Sequence, residues 1–174
     1  MRIVAGTHKG RKINPPNNLT VRPTTDKAKE ALFNIIDSRY FFTEKNILDL
    51  FSGTGNIALE FASRGVEKAV AVDNNINCIE FITATAKNFN LNVSTVQSDG
   101  LKFAQNCKEP FNFIFADPPY NYENYQELKE VVIKKNLVKK DGLLIIEHDK
   151  ETVFNDDNVE VRRYGTVHFS IFSF

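Results

Sequence analysis

Asp117-Pro118-Pro119-Tyr120 carries the most chemistry in this chain. It follows the apolar run Phe111-Asn112-Phe113-Ile114-Phe115-Ala116, which reads as a buried strand, so the tetrapeptide falls in the loop past that strand's carboxyl end. In open α/β sheets that rim is where ligands bind. Two prolines lack an N–H and hold φ fixed, so the segment neither continues a helix nor pairs as a central strand. The result is a stiff loop presenting one carboxylate, carbonyl oxygens and an aromatic ring. Such a loop suits a planar amino group on a heteroaromatic ring, with oxygens accepting its hydrogens and Tyr120 stacking on the ring face. That combination points to methyl transfer onto an exocyclic base nitrogen. An ordinary Asp-Pro turn with a surface tyrosine would use the same residues.

Three more strand ends carry residues suited to a nucleotide. Asp49-Leu50-Phe51-Ser52-Gly53-Thr54-Gly55 spans the first strand-to-helix junction, where Gly53 and Gly55 let the backbone approach a ligand that a side chain would displace. Asp73, followed by Asn74, ends the second strand 18 residues beyond Gly55, where an acid can accept both hydroxyls of a ribose. Asp99, followed by Gly100 and Leu101, ends the third, a place for an adenine amino group with Leu101 beside the ring. Each has a plain structural reading as well: a tight connection for the glycines, a helix cap for the acids. Gly53 to Ala58 also nearly satisfies the dinucleotide fingerprint, and Asp73 would serve NAD equally well. Against NAD stand Asp49, an anion inside the strand that would welcome a cofactor's ammonium group, and the tetrapeptide, to which hydride transfer gives no role.

The elements that must position these residues alternate. Strands are predicted at Ile47–Phe51, Ala69–Asp73, Asn92–Gln97, Phe111–Ala116 and Gly142–Glu147, separated by helices at Asn56–Arg64, Ile76–Phe89, Leu101–Asn106 and Tyr125–Lys135. Repeated strand–helix units imply a doubly wound, mostly parallel α/β sheet. At the end, Val159–Arg163 and Thr166–Phe172 are joined by Tyr164-Gly165 without a helix, so they pair antiparallel or bend sharply. Before the first unit, Arg2–Gly6 and Gly10–Ile13 flank a short turn and are predicted to form a hairpin. A helix with Ala28, Ala31, Leu32, Ile35 and Ile36 on one face follows, capped by Thr25 or Asp26, with its cations expected outward.

At 174 residues the chain suits one well-buried domain with an appendage. The expected division is a basic hairpin-and-helix extension, residues 1–39, and a catalytic domain, residues 40–174. No apolar run approaches the roughly 20 residues that span a bilayer, and the amino terminus lacks the apolar core of a secretory signal, so a cytoplasmic protein without membrane partners is expected. Cys78 and Cys107 read as buried reduced thiols, and the scattered His8, His148 and His168 offer no zinc-binding spacing, so no metal is expected. Net charge is zero, yet residues 1–39 hold eight cations against three anions. Lys9, Arg11, Lys12 and Arg22 in that segment are candidate contacts to a phosphate backbone, with a plain solvated surface as the alternative.

At these residues the chain resembles a known family. Asp49–Gly55 resembles motif I of S-adenosylmethionine-dependent methyltransferases, and Asp117–Tyr120 resembles motif IV of those acting on amino groups of bases. Arg2–Gly6 with Lys9-Gly10-Arg11, and Arg22-Pro23-Thr24-Thr25-Asp26 with Lys29–Asn34, resemble the opening of RsmD-type 16S rRNA guanine-N2 methyltransferases. Asp73 departs mildly, since many relatives carry Glu there. The resemblance implies a Rossmann-like seven-stranded sheet with its last strand antiparallel, S-adenosylmethionine as cofactor, and a guanine of 16S rRNA or the 30S subunit as target of a monomeric enzyme. Asp49, Phe51, Gly53 and Gly55 would seat the methionine portion, Asp73 and Asn74 the ribose, and Asp99, Gly100 and Leu101 the adenine. Asp117, Pro118, Pro119 and Tyr120 would hold the target. A DNA adenine or protein glutamine methyltransferase is the nearest rival, and an NAD-dependent oxidoreductase or a nucleotide-binding module without catalysis the more distant ones.

Overall fold

The structure, a computed structural model, describes residues 1–16, 19, 24–119 and 121–174. Its described residues form a seven-stranded sheet in the order β3-β2-β1-β4-β5-β7-β6. The strands are β1 (Asn46–Asp49), β2 (Lys68–Asp73), β3 (Val93–Gln97), β4 (Phe111–Ala116), β5 (Val138–His148), β6 (Val159–Tyr164) and β7 (Val167–Ser173). The helices are α1 (Asp26–Asp37), α2 (Asn56–Ser63), α3 (Ile76–Asn88), α4 (Gly100–Asn106) and α5 (Tyr125–Lys134).

Pairings among β1 to β5 are parallel, because a helix crosses over between successive strands. The short Tyr164-Gly165-Thr166 turn leaves no room for a crossover, so β7 folds back antiparallel between β5 and β6. The expected strand at Gly142–Glu147 proves longer at its start. Val138-Lys139-Lys140-Asp141 is too charged to announce a strand, but Val138 pairs with Phe111 at the start of β4.

Residue parity divides the core. Ile47, Phe113, Phe115, Leu143 and Ile145 face α1 and α2, packing on Leu32, Phe33, Ile36 and Phe61. Leu48, Ile114, Ala116, Leu144 and Ile146 face the other way, onto Leu128 and Val132 of α5. The odd-numbered positions at the ends of β1, β4 and β5 therefore continue the α1/α2 face, which fixes where their acidic residues emerge.

The leader folds onto the same face. Arg2 and Lys12 form an antiparallel bridge, flanked by Ile3 N–H to Arg11 O at 2.9 Å and Ile13 N–H to Met1 O at 3.0 Å. Only this bridge, not two full strands, realises the expected hairpin; Ile3 and Ile13 enter a small cluster with Leu59, Ala86 and Phe89. Gly6 has φ of +82°, and a Cβ there would lie 1.9 Å from the Ser63 carbonyl oxygen. Any side chain would push the turn off α2.

One leader cation departs from its expected place. Lys29 is wholly buried, its amine donating to Arg2 O at 2.6 Å and Asn56 Oδ1 at 2.8 Å beside Glu60. It lies on the helical stripe of Leu32, Phe33 and Ile36, so position overrode the usual exposure of lysine. Cys78 is buried as expected, whereas Cys107 is only half-buried at the end of α4. No helix among the described residues is long and apolar enough to cross a membrane.

Candidate functional site

The sheet order reverses between β1 and β4, and a cavity of about 530 Å³ opens beyond the carboxyl ends of the parallel strands there. Asp49 from the end of β1, Asp73 from β2, Asp99 after β3, Asp117 after β4 and Glu147 near the end of β5 all line it. Thr24 and Thr25, just before α1, line it as well.

On the glycine side, Asp73 accepts the Gly53 and Asn75 amides, each at 2.8 Å, and so ties the β1–α2 loop to the end of β2. Asp49 is 1% exposed; one of its oxygens takes the Ala58 amide at 3.2 Å, and the other has no hydrogen-bond partner among the described residues. Burial pushes its carboxyl up to about 8, with Asp73 adding to the rise. A buried oxygen without a donor, on the wall of a cavity, is complementary to an ammonium group. Asp99 accepts the Lys102 amide at 2.8 Å, so it caps α4 as well as facing the cavity.

Two residues expected at the cofactor, Gly55 and Leu101, are not on the cavity lining. Gly55 does not line the cavity: its φ is +73°, and a Cβ there would meet Ile82 at 2.8 Å, so a left-handed backbone against α3 is what requires glycine. Leu101, in the first turn of α4, is not on the cavity lining either: it is half-buried and packs against the core cluster that includes Leu48 and Ile114. Phe51 and Gly100 line the cavity in that region, with Phe51 so near that a Cβ on Gly100 would lie 2.6 Å from its ring.

Across the cavity stand Asp117, Pro118, Pro119, Tyr122, Tyr125, Glu147 and His148. Burial pushes the Asp117 carboxyl well above the ordinary range, and Glu147 and Asp49 reinforce the shift. Thr24 donates its hydroxyl to Glu147 at 2.9 Å, joining residues 123 positions apart. The Tyr122 ring sits edge-on to Phe51 and Tyr125, its hydroxyl buried with no hydrogen-bond partner among the described residues, and burial raises it to about 12. His148 Nδ1 lies 2.6 Å from the Asp149 carbonyl, which can only accept, so that nitrogen holds the proton and Nε2 accepts from Ser170 at 2.8 Å. Burial lowers its basicity, in keeping with a neutral ring.

Sequence reasoning passed over Glu147, His148, Ser52 and Asn56. Glu147 gave the same signal as Asp117, an acid closing an apolar strand; the signal for the others lies in tertiary contacts only. Asn56, for example, donates to Thr24 O at 3.0 Å and receives from Lys29. Tyr120 and Arg22 lie outside the described residues. Lys9, Arg11 and Lys12 stand exposed on the leader, with Arg11 over the Phe89 ring at 4.3 Å and His8 stacked on the same ring.

A family described as "Conserved hypothetical protein 95" matches residues 1–173. YlbH of Bacillus subtilis (strain 168) is 33% identical over 156 residues, which are 87% of this chain and 84% of its own. Ribosomal RNA small subunit methyltransferase D of Escherichia coli (strain K12) is 29% identical over 154 residues, 87% of this chain and 76% of its own. Among solved structures, yhhF from Escherichia coli superposes with a TM-score of 0.84 at 25% identity, covering 99% of this chain and 97% of that one.

Proposed function

The chain belongs to the conserved hypothetical protein 95 family, and on that premise we propose that its cleft transfers a methyl group from S-adenosylmethionine to the exocyclic N2 of a guanine in 16S rRNA. The observation that carries this reading is the placing of Asp49, Asp73, Asp99 and Asp117 on one cavity, donor-binding acids on one side and Asp117-Pro118-Pro119 on the other. The relative named for small-subunit rRNA methylation supplies the substrate class.

The residues present fit the donor. Asp49, whose Oδ1 has no hydrogen-bond partner among the described residues, would hold its ammonium group, Asp73 and Asn74 the ribose, and Asp99, Gly100 and Phe51 the adenine. Bound there, the donor supplies an electrophilic methyl group. The guanine amino nitrogen is a poor nucleophile because its lone pair is delocalised into the ring. Asp117 and a proline carbonyl accept its hydrogens, favour a more tetrahedral nitrogen and hold it in line. Tyr120 stacks the extruded base, a contact worth roughly 1–3 kcal/mol. Residues 1–39 serve as an RNA-contacting extension through Lys9, Arg11, Lys12 and Arg22, attached to a catalytic domain of residues 40–174. The enzyme acts as a monomer in the cytoplasm, on free 16S rRNA or the 30S particle.

Asp49 weighs against NAD, whose dinucleotide brings no ammonium group to that buried oxygen. The deciding experiment is methyl transfer from labelled donor to undermodified 30S subunits and to free 16S rRNA, followed by mass mapping. Label on N2 of one guanine is expected. Label on an adenine, on a protein amide, or nowhere overturns the reading.

A further inference from the structure

We infer that Tyr122 is a cofactor-binding residue supplied by the target side of the cleft: its hydroxyl donates to a ring nitrogen of the cofactor's adenine, beside the amino group assigned to Asp99. The inference rests on the proposed methyl-transfer reading and goes beyond it by adding a contact that the strand-end acids do not provide.

Placement comes from the turn after β4. The Tyr122 amide donates to the Pro119 carbonyl at 2.8 Å, so the residue is tied to the Asp117-Pro118-Pro119 loop. Its ring nevertheless reaches the other side of the cavity, standing edge-on to Phe51 with the ring centroids 5.5 Å apart. Phe51 is the ring that a Cβ on Gly100 would strike, at 2.6 Å. Phe51, Asp99, Gly100 and Tyr122 all line the cavity. Burial raises the hydroxyl's pKa, and Asp99 and Glu127 add to the rise, which puts the hydroxyl within the field of the acid at the adenine end.

Packing accounts for the ring and not for the oxygen. Phenylalanine would keep the edge-on contacts to Phe51 and Tyr125. The oxygen is buried with no hydrogen-bond partner among the described residues, a state that costs free energy until a ligand relieves it. With its pKa pushed up to about 12 the phenol keeps its proton, so it has a hydrogen to donate.

Adenine offers the matching acceptor. Its amino group lies between two bare ring nitrogens, N1 on one side and N7 on the other. Asp99 when ionised only accepts, so it suits the amino group and repels either lone pair. A phenol O–H on the same wall complements the neighbouring nitrogen. Acid and phenol together read donor beside acceptor, and the loop that holds the target base also grips the methyl donor.

The test is calorimetric titration of the parent protein and Tyr122→Phe with S-adenosylhomocysteine, which keeps the adenine, ribose and ammonium group, and with its 1-deaza and 7-deaza analogues. Tyr122→Phe should bind S-adenosylhomocysteine roughly 3- to 30-fold more weakly. One of the two analogues should lose a similar factor on the parent and almost nothing on Tyr122→Phe, where the bond is already gone. Urea denaturation without ligand should find Tyr122→Phe at least as stable as the parent, because the deleted hydroxyl pairs with nothing in the fold. A purely structural tyrosine would give the reverse, a lower urea midpoint with unchanged affinity. Equal affinities for S-adenosylhomocysteine, analogue losses that are the same in both proteins, or a lower midpoint for the unliganded variant would overturn the assignment. A parent protein that binds no S-adenosylhomocysteine defeats the methyl-transfer reading first.

Discussion

Lys29 of α1 and Glu60 of α2 form an ion pair at 3.1 Å with both side chains wholly withdrawn from solvent. The pair is embedded in donors and acceptors: Glu60 also accepts the Val4 and Ala5 amides at 2.7 and 2.9 Å and the Arg64 guanidinium at 2.9 Å. Desolvation lowers the Lys29 pKa despite Glu60 beside it. The network fastens the leader to α2, and through Asn56 it holds Thr24 at the cavity wall. Removing one partner leaves the other charge buried, so Lys29→Ala or Glu60→Ala should each lower the unfolding free energy by about 3–5 kcal/mol. Urea denaturation of the two single variants and the double variant checks this, with the double costing less than the sum.

Asp73 and Asp117 should separate binding from chemistry. Asp117→Ala should cut kcat by about 10²–10³-fold or more while cofactor affinity stays near that of the unaltered protein. Asp73→Ala should mainly weaken the cofactor. Because Asp73 also holds the Gly53 and Asn75 amides, that variant should lose about 1–3 kcal/mol of stability even without ligand. Calorimetric titration with the cofactor, beside single-turnover methylation, distinguishes the two patterns.

The sheet and its strand-end acids were legible because the central parallel strands are near-continuous apolar runs closed by an acid or a turn, a local signal. Phe111–Ala116 is bounded in the structure as its apolar run suggested, and the Tyr164-Gly165 turn gave the antiparallel ending. Lys29 was not legible: burying a lysine depends on Glu60 and Asn56, which are distant in sequence. Gly55 and Leu101 fall off the cavity lining for reasons the sequence could not display. A glycine beside a phosphate-type loop and a glycine packed on Ile82 look alike in sequence, and the packing of Leu101 against the core depends on where α4 starts, at Gly100.

Asp49 predicts a pH dependence of opposite sign for stability and for binding. Its carboxyl rises from 3.8 to about 8 in the folded chain, which therefore keeps a proton that the unfolded chain releases. Between those values the unliganded protein should lose stability as pH rises, by at most about 1.4 kcal/mol per unit. A ligand ammonium favours the ionised carboxylate, so cofactor affinity should climb over the upper part of the same window, by up to about tenfold per unit, with proton release. Denaturation of the apo protein at pH 6 and 8 tests the first effect. Calorimetry in buffers of different ionisation enthalpy tests the second, and Asp49→Asn should flatten both.

The leader's cations predict a salt effect. Lys9, Arg11 and Lys12 are exposed, and the guanidinium of Arg11 rests on Phe89, which holds it in place without consuming its charge. If each meets one phosphate, replacing all three with Gln should reduce the slope of log affinity for 16S rRNA against log salt by about 2–3. Lys9, Arg11 and Lys12 do not line the cavity, so cofactor affinity should stay unchanged. Filter binding between 50 and 200 mM salt, roughly the range over which such contacts weaken most visibly, reads the slope. A triple variant with the parent's slope would remove the hairpin from the RNA surface and leave the cleft as the principal contact.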